Sequence, residues 1–303
     1  MIITVTLNPA VDYLLELDEF SEGKLNRARY QEFSAGGKGI NVSLILKTLN
    51  IDTLATGFLG GFTGDFIRNQ LNDAEVKNHF ISIQDTTRVN VKLETLSQTE
   101  INAKAPKVND AEFKALLDYV YTLKSDDILV LAGSSIEDRN AYLKLVKIAI
   151  EKSISFVCDV EKRTLAQLLP FQPLLVKPNK YELETFIGHP LQEEAAIVSA
   201  AKNLQSLGAQ NVLVSLGKEG SLMVTADAVY KAYPIKGHAK NAVGAGDSMI
   251  GGFLAEYSQS NDLLSAYKKA VACGTATAFS YTLATASEIA SIESQVRIEK
   301  VML

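Results

Sequence analysis

The sequence is poor in histidine, cysteine and net positive charge, and each shortage excludes a class of protein. Its three histidines, His79, His189 and His238, are widely separated, which argues against a histidine metal site or a Ser-His-Asp triad. Cys158 and Cys273 have no CxxC or metal spacing and lie in apolar runs, so we expect buried thiols in a reducing cytoplasm. A net charge of −5 supplies no general basic surface, which argues against nucleic acid as a partner.

Long apolar runs are missing as well. No stretch approaches the ~20 apolar residues that a membrane span requires, so we expect no membrane partner. The N-terminal run is interrupted by Asn8, Pro9 and Asp12, which indicates a strand rather than a signal peptide. With 303 residues, 47% of them hydrophobic and 21% charged, the chain is predicted to be globular, with one large α/β domain or two smaller ones.

Short apolar runs typical of strands alternate with helical patterns along the chain. A helical stretch or a turn follows each of the runs IITVTL, TLATGFLG, DDILVLAG, ISFVCDV, PLLVKPN and NVLVSLG. This rhythm predicts a mainly parallel sheet covered by helices on both faces.

Two segments break the rhythm. Residues 87–103 alternate apolar and polar side chains in the pattern of an exposed hairpin, and residues 11–34 contain two further strand patterns, DYLLEL and RARYQEF. We therefore predict one α/β domain that carries a small β flap. The predicted bounds are 1–10, 36–84 and 106–303 for the domain, and 11–35 and 85–105 for the flap.

Glycine turns and polar side chains follow several predicted strands, where sites in parallel sheets lie. AGGKGINV places Gly37, Lys38 and Asn41 at the entry to a helix. The turn is either a tight connection with a solvated lysine or a close approach of the backbone to a hydroxylated or anionic ligand. AGSSIED places Ser134 in a glycine turn, which a helix cap would equally explain.

Two later segments carry further candidates. KPNKYELE contains Lys177, Asn179 and Glu182 around a proline, and capping accounts for Asn179 more easily than for the whole N-x-x-E array. VSLGKEG joins two predicted strands by a turn, which is ordinary in isolation; it contains Ser215, Gly217 and Gly220.

The stretch VGAGDSMIGGF, within residues 241–257, opens an amphipathic helix with Gly244, Ala245, Gly246 and Asp247. The glycines allow a ligand to approach the backbone, and a helix N-terminus favours anions. An aspartate in the first turn is also common as a helix cap.

Two nucleotide-binding motifs are missing. The sequence has no G-x-x-x-x-G-K-[ST], and no G-x-G-x-x-G opens the first helix. Met249 stands where a third glycine would follow Gly244 and Gly246. Neither a Walker NTPase nor a standard dinucleotide-dependent oxidoreductase fits.

AGGKGINV and VGAGDSMIGGF together resemble the two-part signature of the ribokinase-like (pfkB-type) sugar kinases. TLNPAVD, GFLGG, TRVNVK, EINA, LAGS, KPNKYELE and VSLGKEG occur in the order of that family, so the resemblance covers essentially the whole chain. Within the family the sequence is similar to the phosphosugar branch of 1-phosphofructokinases, with tagatose-6-phosphate kinases as neighbours.

The resemblance implies a three-layer α/β/α ribokinase-like domain with a mainly parallel central sheet and a small β-sheet lid over the sugar site. It also implies ATP and Mg²⁺ as cofactors and phosphoryl transfer to a ketohexose monophosphate. Fructose 1-phosphate is the expected acceptor, with tagatose 6-phosphate as the alternative and fructose 6-phosphate also open. A sensor that binds sugar phosphate without turnover is the alternative from another class, and an intact Asp247 argues against it.

The resemblance also assigns roles to the candidate residues. Asp247 matches the general base, and the N–H groups of Gly244, Ala245 and Gly246 match an anion hole. We expect the positive helix end to keep Asp247 ionised. Positions that match the nucleotide site are Lys177, Ser215, Gly217 and Gly220, and those that match a Mg²⁺ site, through water, are Asn179 and Glu182.

For the sugar, the matching hydroxyl-binding positions are Asp12, Gly37 and Asn41. The expected phosphate anchors are Lys38, Arg88 and Asn90, with Arg27 and Ser134 next. Alternation along TRVNVK puts Arg88, Asn90 and Lys92 on one strand face, where Lys92 is equally compatible with a solvated surface.

The sequence departs from the family pattern at Ala242, where Thr or Ser is frequent, and at Lys104, where glycine is usual. An exposed β flap favours a homodimer that forms lid to lid.

Overall fold

The computed structural model describes residues 1–138, 140–240 and 242–301. The described residues do not include Arg139, Asn241, Met302 and Leu303. The predicted segments 106–303 and 241–257 extend over some of these positions, and those parts of them lie outside the described residues.

Over the described residues, the strands form two sheets. Their bounds are β1 Ile2–Thr6, β2 Ala10–Glu16, β3 Tyr30–Gly36, β4 Thr53–Leu59, β5 Lys77–Ser82, β6 Arg88–Glu94, β7 Gln98–Asn102, β8 Ile128–Ala132, β9 Ser155–Asp159, β10 Leu175–Val176, β11 Val212–Ser215, β12 Ser221–Val224, β13 Val229–Ala232 and β14 Ile298–Val301.

The larger sheet has ten strands in the order β5-β4-β1-β8-β9-β10-β11-β12-β13-β14. The strands from β5 to β11 pair in parallel, and β12, β13 and β14 add an antiparallel edge. The parallel part explains why apolar runs, rather than alternating patterns, mark these strands, because both faces are buried.

Helices cover both faces of this sheet. Their bounds are α1 Lys38–Thr48, α2 Gly61–Asp73, α3 Asp110–Tyr121, α4 Ala141–Glu151, α5 Lys162–Leu168, α6 Lys180–Ile187, α7 Glu194–Ser206, α8 Ala245–Ser260, α9 Leu263–Phe279 and α10 Ala286–Glu293. Along β8, Leu129 and Leu131 enter the core beneath α3 to α7, whereas Val130 and Ala132 enter the core beneath α1, α8 and α9. The prediction of three layers around a mainly parallel sheet is confirmed.

The smaller sheet has the order β3-β2-β6-β7. Its outer pairs are antiparallel hairpins, and its central pair, β2 with β6, is parallel. The small sheet predicted beside the main one is therefore present, although its strands start and end differently: β3 begins at Tyr30, three residues later than the RARYQEF pattern, and runs on to Gly36. We call these four strands the small sheet.

Both cysteines are buried and form no disulfide. Within the described residues, no helix combines the length and the apolar character that crossing a bilayer requires.

Candidate active site

The carboxyl ends of the central strands bring most of the predicted site residues together. β8 leads into Gly133 and Ser134, β10 into Lys177, and β11 ends at Ser215. α1 and α8 bring their N-terminal turns to the same edge, where Asn41 meets Asp247. This is the edge at which parallel sheets place their ligands.

Asp247 lies in the first turn of α8 but does not cap it. The N-cap is Gly244, whose left-handed backbone (φ 78°) suits glycine and which has no side chain to cap the helix. The Asp247 carboxylate instead accepts a 2.7 Å hydrogen bond from Nδ2 of Asn41. A buried carboxylate held from a second helix is not explained by helix capping.

Asp247 does not have the lowered pKa that a positive helix end alone would give it, although it stays mostly ionised as predicted. Burial, reinforced by the negative charge of Asp159, raises the pKa of Asp247 to about 6, while Asn41, Lys177 and Lys38 act in the opposite direction. Only 7% of Asp247 is exposed, which makes desolvation the largest of these effects. A carboxyl with this pKa is mostly ionised at neutral pH and is well matched to proton transfer.

Asp159, the last residue of β9, is a site residue that the sequence reasoning missed. Its Oδ1 accepts a 2.8 Å hydrogen bond from Nζ of Lys38, and its Oδ2 lies 3.5 Å from Nζ of Lys177. Burial would raise the pKa of Asp159, but the two lysines outweigh it and lower that pKa. The signal was present in the sequence, because ISFVCDV ends a predicted strand with an acid at the same edge as Lys177.

Lys38 is therefore more than a solvated lysine in a tight turn, although 37% of its side chain is exposed. Besides Asp159, its ammonium lies 3.8 Å from Oε1 of Glu182. Burial opposes the charge on Lys38, but the Asp159 carboxylate outweighs burial, and the pKa of Lys38 is raised.

Lys177 is 5% exposed and lies against the first turn of α8. A Cβ built on Gly246 would come within 2.9 Å of the Lys177 ammonium nitrogen, so this glycine allows the cation to approach the turn. Ala245 donates its N–H to the carbonyl of Ala242 at 3.3 Å, which is a long hydrogen bond. The helix N-terminus and the lysine thus present positive charge to the same space.

The small sheet contributes a second polar group. Asp12 accepts a 3.0 Å hydrogen bond from Nδ2 of Asn90 and a 2.8 Å hydrogen bond from Nζ of Lys92. The side chains of Asp12 and Lys92 are 17% and 14% exposed, so Lys92 is not part of a solvated surface. Gly36 allows this arrangement, because a Cβ there would come within 2.6 Å of the Asp12 carboxylate. At Gly37, a φ of 139° and a Cβ position 2.8 Å from Thr6 explain the second glycine.

Arg88 makes backbone contacts at the base of the small sheet. Its Nη1 donates to the carbonyl of Ala103 at 3.1 Å, and its Nη2 donates to the carbonyl of Asn8 at 3.2 Å. Nε of Arg88 is buried without a hydrogen-bond partner among the described residues. Burial lowers the pKa of Arg88, and Asp12 acts in the opposite direction. Two donors are thus occupied by backbone carbonyls of the protein, and the buried Nε–H has no partner among the described residues.

Ser134 accepts a 3.0 Å hydrogen bond from Nδ2 of Asn8, so the loops after β1 and β8 are joined. Since α4 begins only at Ala141, Ser134 is not its cap. Arg27, in contrast, is not brought to the other candidates. It is exposed in the loop beyond the far ends of β2 and β3, away from the Ala10 and Gly36 ends that meet the main sheet.

The N-x-x-E array forms a complete capping box. The Asn179 side chain accepts from the N–H of Glu182, and Oε2 of Glu182 accepts from the N–H of Asn179, both at 2.8 Å. Asn109 and Glu112 form the same box at the start of α3. Capping therefore explains the whole array, and any metal role of Glu182 depends on where its second oxygen lies.

That second oxygen fits a hydrated cation. Oε1 of Glu182 remains outside the capping box, and Glu182 lines a cavity of about 270 Å³ together with Asp159 and Lys177. Over the described ranges, no group of three or more histidine, cysteine or acidic side chains is arranged to hold a metal. An ion here would keep water and ligand oxygens in its shell, as Mg²⁺ usually does.

The predicted nucleotide residues are neighbours. Asn179 and Ser215 form a parallel β-bridge, and the Ser215 N–H donates to the carbonyl of Pro178. Gly217 (φ 59°) and Gly220 (φ 92°) both have left-handed backbone in the turn between β11 and β12. A side chain at Gly220 would also collide with the carbonyl of Ala232.

Comparison with known proteins identifies the family of the chain. The family profile described as "pfkB family carbohydrate kinase" matches residues 5–290. The chain belongs to the pfkB family of carbohydrate kinases. Within this pfkB family, the 1-phosphofructokinase of Bacillus subtilis is 39% identical over 302 residues, which are 99% of this chain and 100% of that protein.

A second kinase and a solved structure are also similar to this chain. The D-tagatose-1-phosphate kinase of Bacillus licheniformis is 33% identical over 303 residues, covering 98% of this chain and 99% of that protein. The structure of phosphofructokinase-2 from Escherichia coli in complex with substrates and products superposes with a TM-score of 0.92 at 27% identity, covering 97% and 98% of the two chains. A pfkB kinase is an ATP-dependent phosphotransferase. The absence of the Walker and dinucleotide-binding motifs from the sequence is consistent with that class.

Proposed function

We propose that this chain transfers the γ-phosphoryl group of ATP to the 6-hydroxyl of fructose 1-phosphate and so forms fructose 1,6-bisphosphate and ADP. The observation that carries the proposal is the buried Asp247 carboxylate, held by Asn41 at a helix N-terminus beside two lysines. This arrangement places a proton acceptor next to positive charge, as phosphoryl transfer requires.

In the proposed reaction, Asp247 accepts the proton of the sugar hydroxyl while the oxygen of that hydroxyl forms a bond to the γ-phosphorus. The bond between that phosphorus and the β,γ-bridging oxygen breaks, and ADP leaves with the electron pair. Asn41 orients the carboxylate, so the proton acceptor is fixed before the substrates meet.

Positive charge for the transferred group comes from Lys38, Lys177 and the first turn of α8. Dipoles and cations fixed in advance stabilise charge that develops on the phosphoryl oxygens. Gly244, Ala245 and Gly246 supply the N–H groups of the proposed anion hole. On the nucleotide side, we assign the ATP phosphates and the adjoining pocket to Lys177, Asn179, Ser215, Gly217 and Gly220.

Glu182, with Asn179, is the proposed holder of Mg²⁺ through water. When bound, the ion neutralises phosphate charge and orients the polyphosphate chain.

At the sugar end, we assign the hydroxyls to Asp12, Gly37 and Asn41. Arg88, Asn90 and Ser134 are the proposed partners of the sugar phosphate, and Arg88 contributes the positive charge. Lys38 was expected there from the sequence, but it pairs with Asp159 beside Asp247, so we assign it to the transferred phosphoryl group instead. Arg27 remains a proposal without support from its position in this chain. Segments 11–35 and 85–105, which contain the small sheet, are the proposed lid.

The names of the relatives favour a 1-phosphate over tagatose 6-phosphate. Fructose 1-phosphate and tagatose 1-phosphate carry the phosphate at the same end and differ at one hydroxyl-bearing carbon, so both leave the 6-hydroxyl free. Proteins named for each of these sugars match nearly the whole chain.

We also propose a homodimer that forms through the small sheet. Phe33, Tyr13, Val91 and Ile101 lie in one cross-strand row, and Phe33 and Ile101 are 47% and 57% exposed. Exposed aromatic and aliphatic side chains in such a row favour burial against another protein surface. A related solved structure is described as the tetrameric inhibited form of phosphofructokinase-2 from Escherichia coli. Light scattering on the purified chain tests this assembly, and a monomer at micromolar concentration contradicts it.

A coupled ADP-release assay tests the reaction. We expect the highest kcat/KM with fructose 1-phosphate, compared with tagatose 1-phosphate, tagatose 6-phosphate and fructose 6-phosphate. A preference for either 6-phosphate would contradict the substrate assignment. Binding of sugar phosphate with no ADP formed from any of the four would identify a sensor instead.

A further inference from the structure

Asp159 makes polar contacts that the proposed reaction does not yet use. Its carboxylate is 4% exposed and lies between the ammonium groups of Lys38 and Lys177, at 2.8 and 3.5 Å. Lys38 comes from the start of α1 and Lys177 from the end of β10, so one acid connects two cations from distant segments. A lysine has a long, flexible side chain, and holding two of them in place requires a shared partner.

Apart from Asp159, the two lysines contact different parts of the site. Lys177 touches the α8 turn at Gly246, whereas Lys38 also approaches Glu182. Without the intervening carboxylate, two partly buried ammonium groups would repel each other and lose their main neutralising partner. The position of each cation therefore depends on Asp159 rather than on the ligand alone.

We propose that Asp159 is a positioning residue: its single carboxylate holds Lys38 and Lys177 in place near the N-terminus of α8, so that both ammonium groups face the anionic groups bound there. The proposal rests on the proposed kinase function and deepens it. Asp159 itself touches neither the sugar nor the reacting phosphorus in this scheme and acts through the two lysines.

A second consequence separates this role from simple structural support. The charged and hydrogen-bonding groups that face Asp247 are Asp159, Lys177, Lys38 and Asn41, and burial together with Asp159 raises the pKa of Asp247 to about 6. Replacing Asp159 by a neutral residue removes a negative neighbour and leaves the two lysines uncompensated. Both changes favour ionised Asp247, so its pKa falls.

The test compares Asp159→Asn with Asp127→Asn. Asp127 is also buried and ion-paired, with the N-terminal amine at 3.1 Å, but it precedes β8 and so lies at the opposite edge of the sheet. Both variants therefore lose a buried carboxylate, and only the first loses the contact with the two lysines.

Three quantities are measured for wild type and both variants: kcat/KM against pH, the affinity for a non-hydrolysable ATP analogue by calorimetry, and the half-saturating Mg²⁺ concentration. For Asp159→Asn we expect analogue affinity to fall about 10- to 100-fold, the usual effect of losing a charge-assisted partner. We also expect the acid limb of the pH profile to move to lower pH. Substrate phosphates titrate identically in all three proteins, so a difference between profiles belongs to the protein.

The proposal is overturned if Asp159→Asn keeps the wild-type pH profile of kcat/KM and the wild-type affinity for the ATP analogue. It is equally overturned if Asp159→Asn loses no more analogue affinity than Asp127→Asn does. It is also overturned if only the Mg²⁺ requirement rises and the acid limb stays in place, because Asp159 would then be a metal ligand. If Asp159→Asn does not fold, Asp159→Glu keeps the charge but displaces it, and we expect lower analogue affinity with an unmoved acid limb. Wild-type protein without ADP formation would refute the proposed function, whereas the binding measurements would still test Asp159.

Discussion

Nδ2 of Asn41 donates a hydrogen bond to Oδ2 of Asp247 across 206 positions of sequence. The first turns of α1 and α8 therefore meet, and the amide fixes the orientation of a carboxylate that is almost fully buried. Asn41 belongs to the signature stretch AGGKGINV and Asp247 to the stretch VGAGDSMIGGF. This hydrogen bond therefore joins the two stretches that together resemble the family signature.

The first prediction concerns turnover. Asp247→Asn keeps the size and the hydrogen-bond acceptor of the side chain but removes its ability to take a proton at neutral pH. We expect kcat to fall by about 10²–10⁴-fold, as for loss of a general base, with little change in the affinities for ATP and sugar phosphate. Steady-state kinetics and calorimetry on the purified variant check this, and near-normal turnover would refute the assignment.

The second prediction concerns stability and its pH dependence. The pKa of Asp247 is raised from 3.8 to about 6 by burial and by Asp159, so the folded state holds the proton more tightly than the unfolded state. The free energy of unfolding contributed by this group therefore falls as pH rises from about 4 to about 6 and stays low above it. Asp247→Asn removes this cost at pH 7, and we expect it to stabilise the fold by about 1–3 kcal/mol.

Urea unfolding of wild type and Asp247→Asn at pH 7 and pH 4 measures this effect. The gain should be present at pH 7 and absent at pH 4, where the wild-type carboxyl is protonated in the folded protein. An equal gain at both pH values would show that the carboxylate charge is not its cause.

The third prediction concerns Arg88. Arg88→Ala removes the proposed phosphate partner, and a charge-assisted hydrogen bond contributes about 1.5–3 kcal/mol. We expect a rise in KM of about 10- to 150-fold for the sugar phosphate, provided KM follows affinity, and little change for ATP. The unphosphorylated sugar is the control, since its weak activity should hardly change. A higher KM for ATP with an unchanged KM for sugar phosphate would assign Arg88 to the nucleotide side.

The fourth prediction uses the two capping boxes. Asn179→Ala and Asn109→Ala each remove a helix cap, which costs about 0.5–2 kcal/mol of stability. Only Asn179→Ala should also raise the Mg²⁺ concentration needed for half-maximal activity, because only its box adjoins the proposed metal site. Thermal unfolding and Mg²⁺ titration of both variants check this. Similar Mg²⁺ curves for the two would leave Asn179 with a capping role alone.

The sequence was sufficient for the layered fold and for most of the residues at the sheet edge, because buried parallel strands and glycine turns leave local patterns. It was insufficient for Asp159, whose importance lies in two lysines that are distant along the chain. The pKa of Asp247 could not be predicted either, since burial depends on the packing of α1 and α8 rather than on local sequence.

Two motifs were ambiguous for a related reason. The same N-x-x-E sequence occurs whether the array only caps a helix or also faces a metal. The position of the second Glu182 oxygen, Oε1, distinguishes the two roles, and it is known only from the structure. Similarly, alternation predicted which strand face carries Arg88, but the carbonyls of Asn8 and Ala103 that it contacts become neighbours only after folding.

The parallel pairing of β2 with β6 also affects how the protein is made. Asp12 and its partner Asn90 are 78 positions apart, so the β2–β3 hairpin leaves the ribosome with an unpaired edge long before its partner strand is synthesised. Closing this pair costs the entropy of a long loop, which delays it relative to the local helices. The small sheet is also far more exposed than the main one: β3 and β7 are almost entirely exposed, whereas β1 and β8 are buried. We therefore expect its amide hydrogens to exchange faster than those of β1 and β8. Such ready opening would suit the proposed lid, which would have to admit a sugar at every turnover.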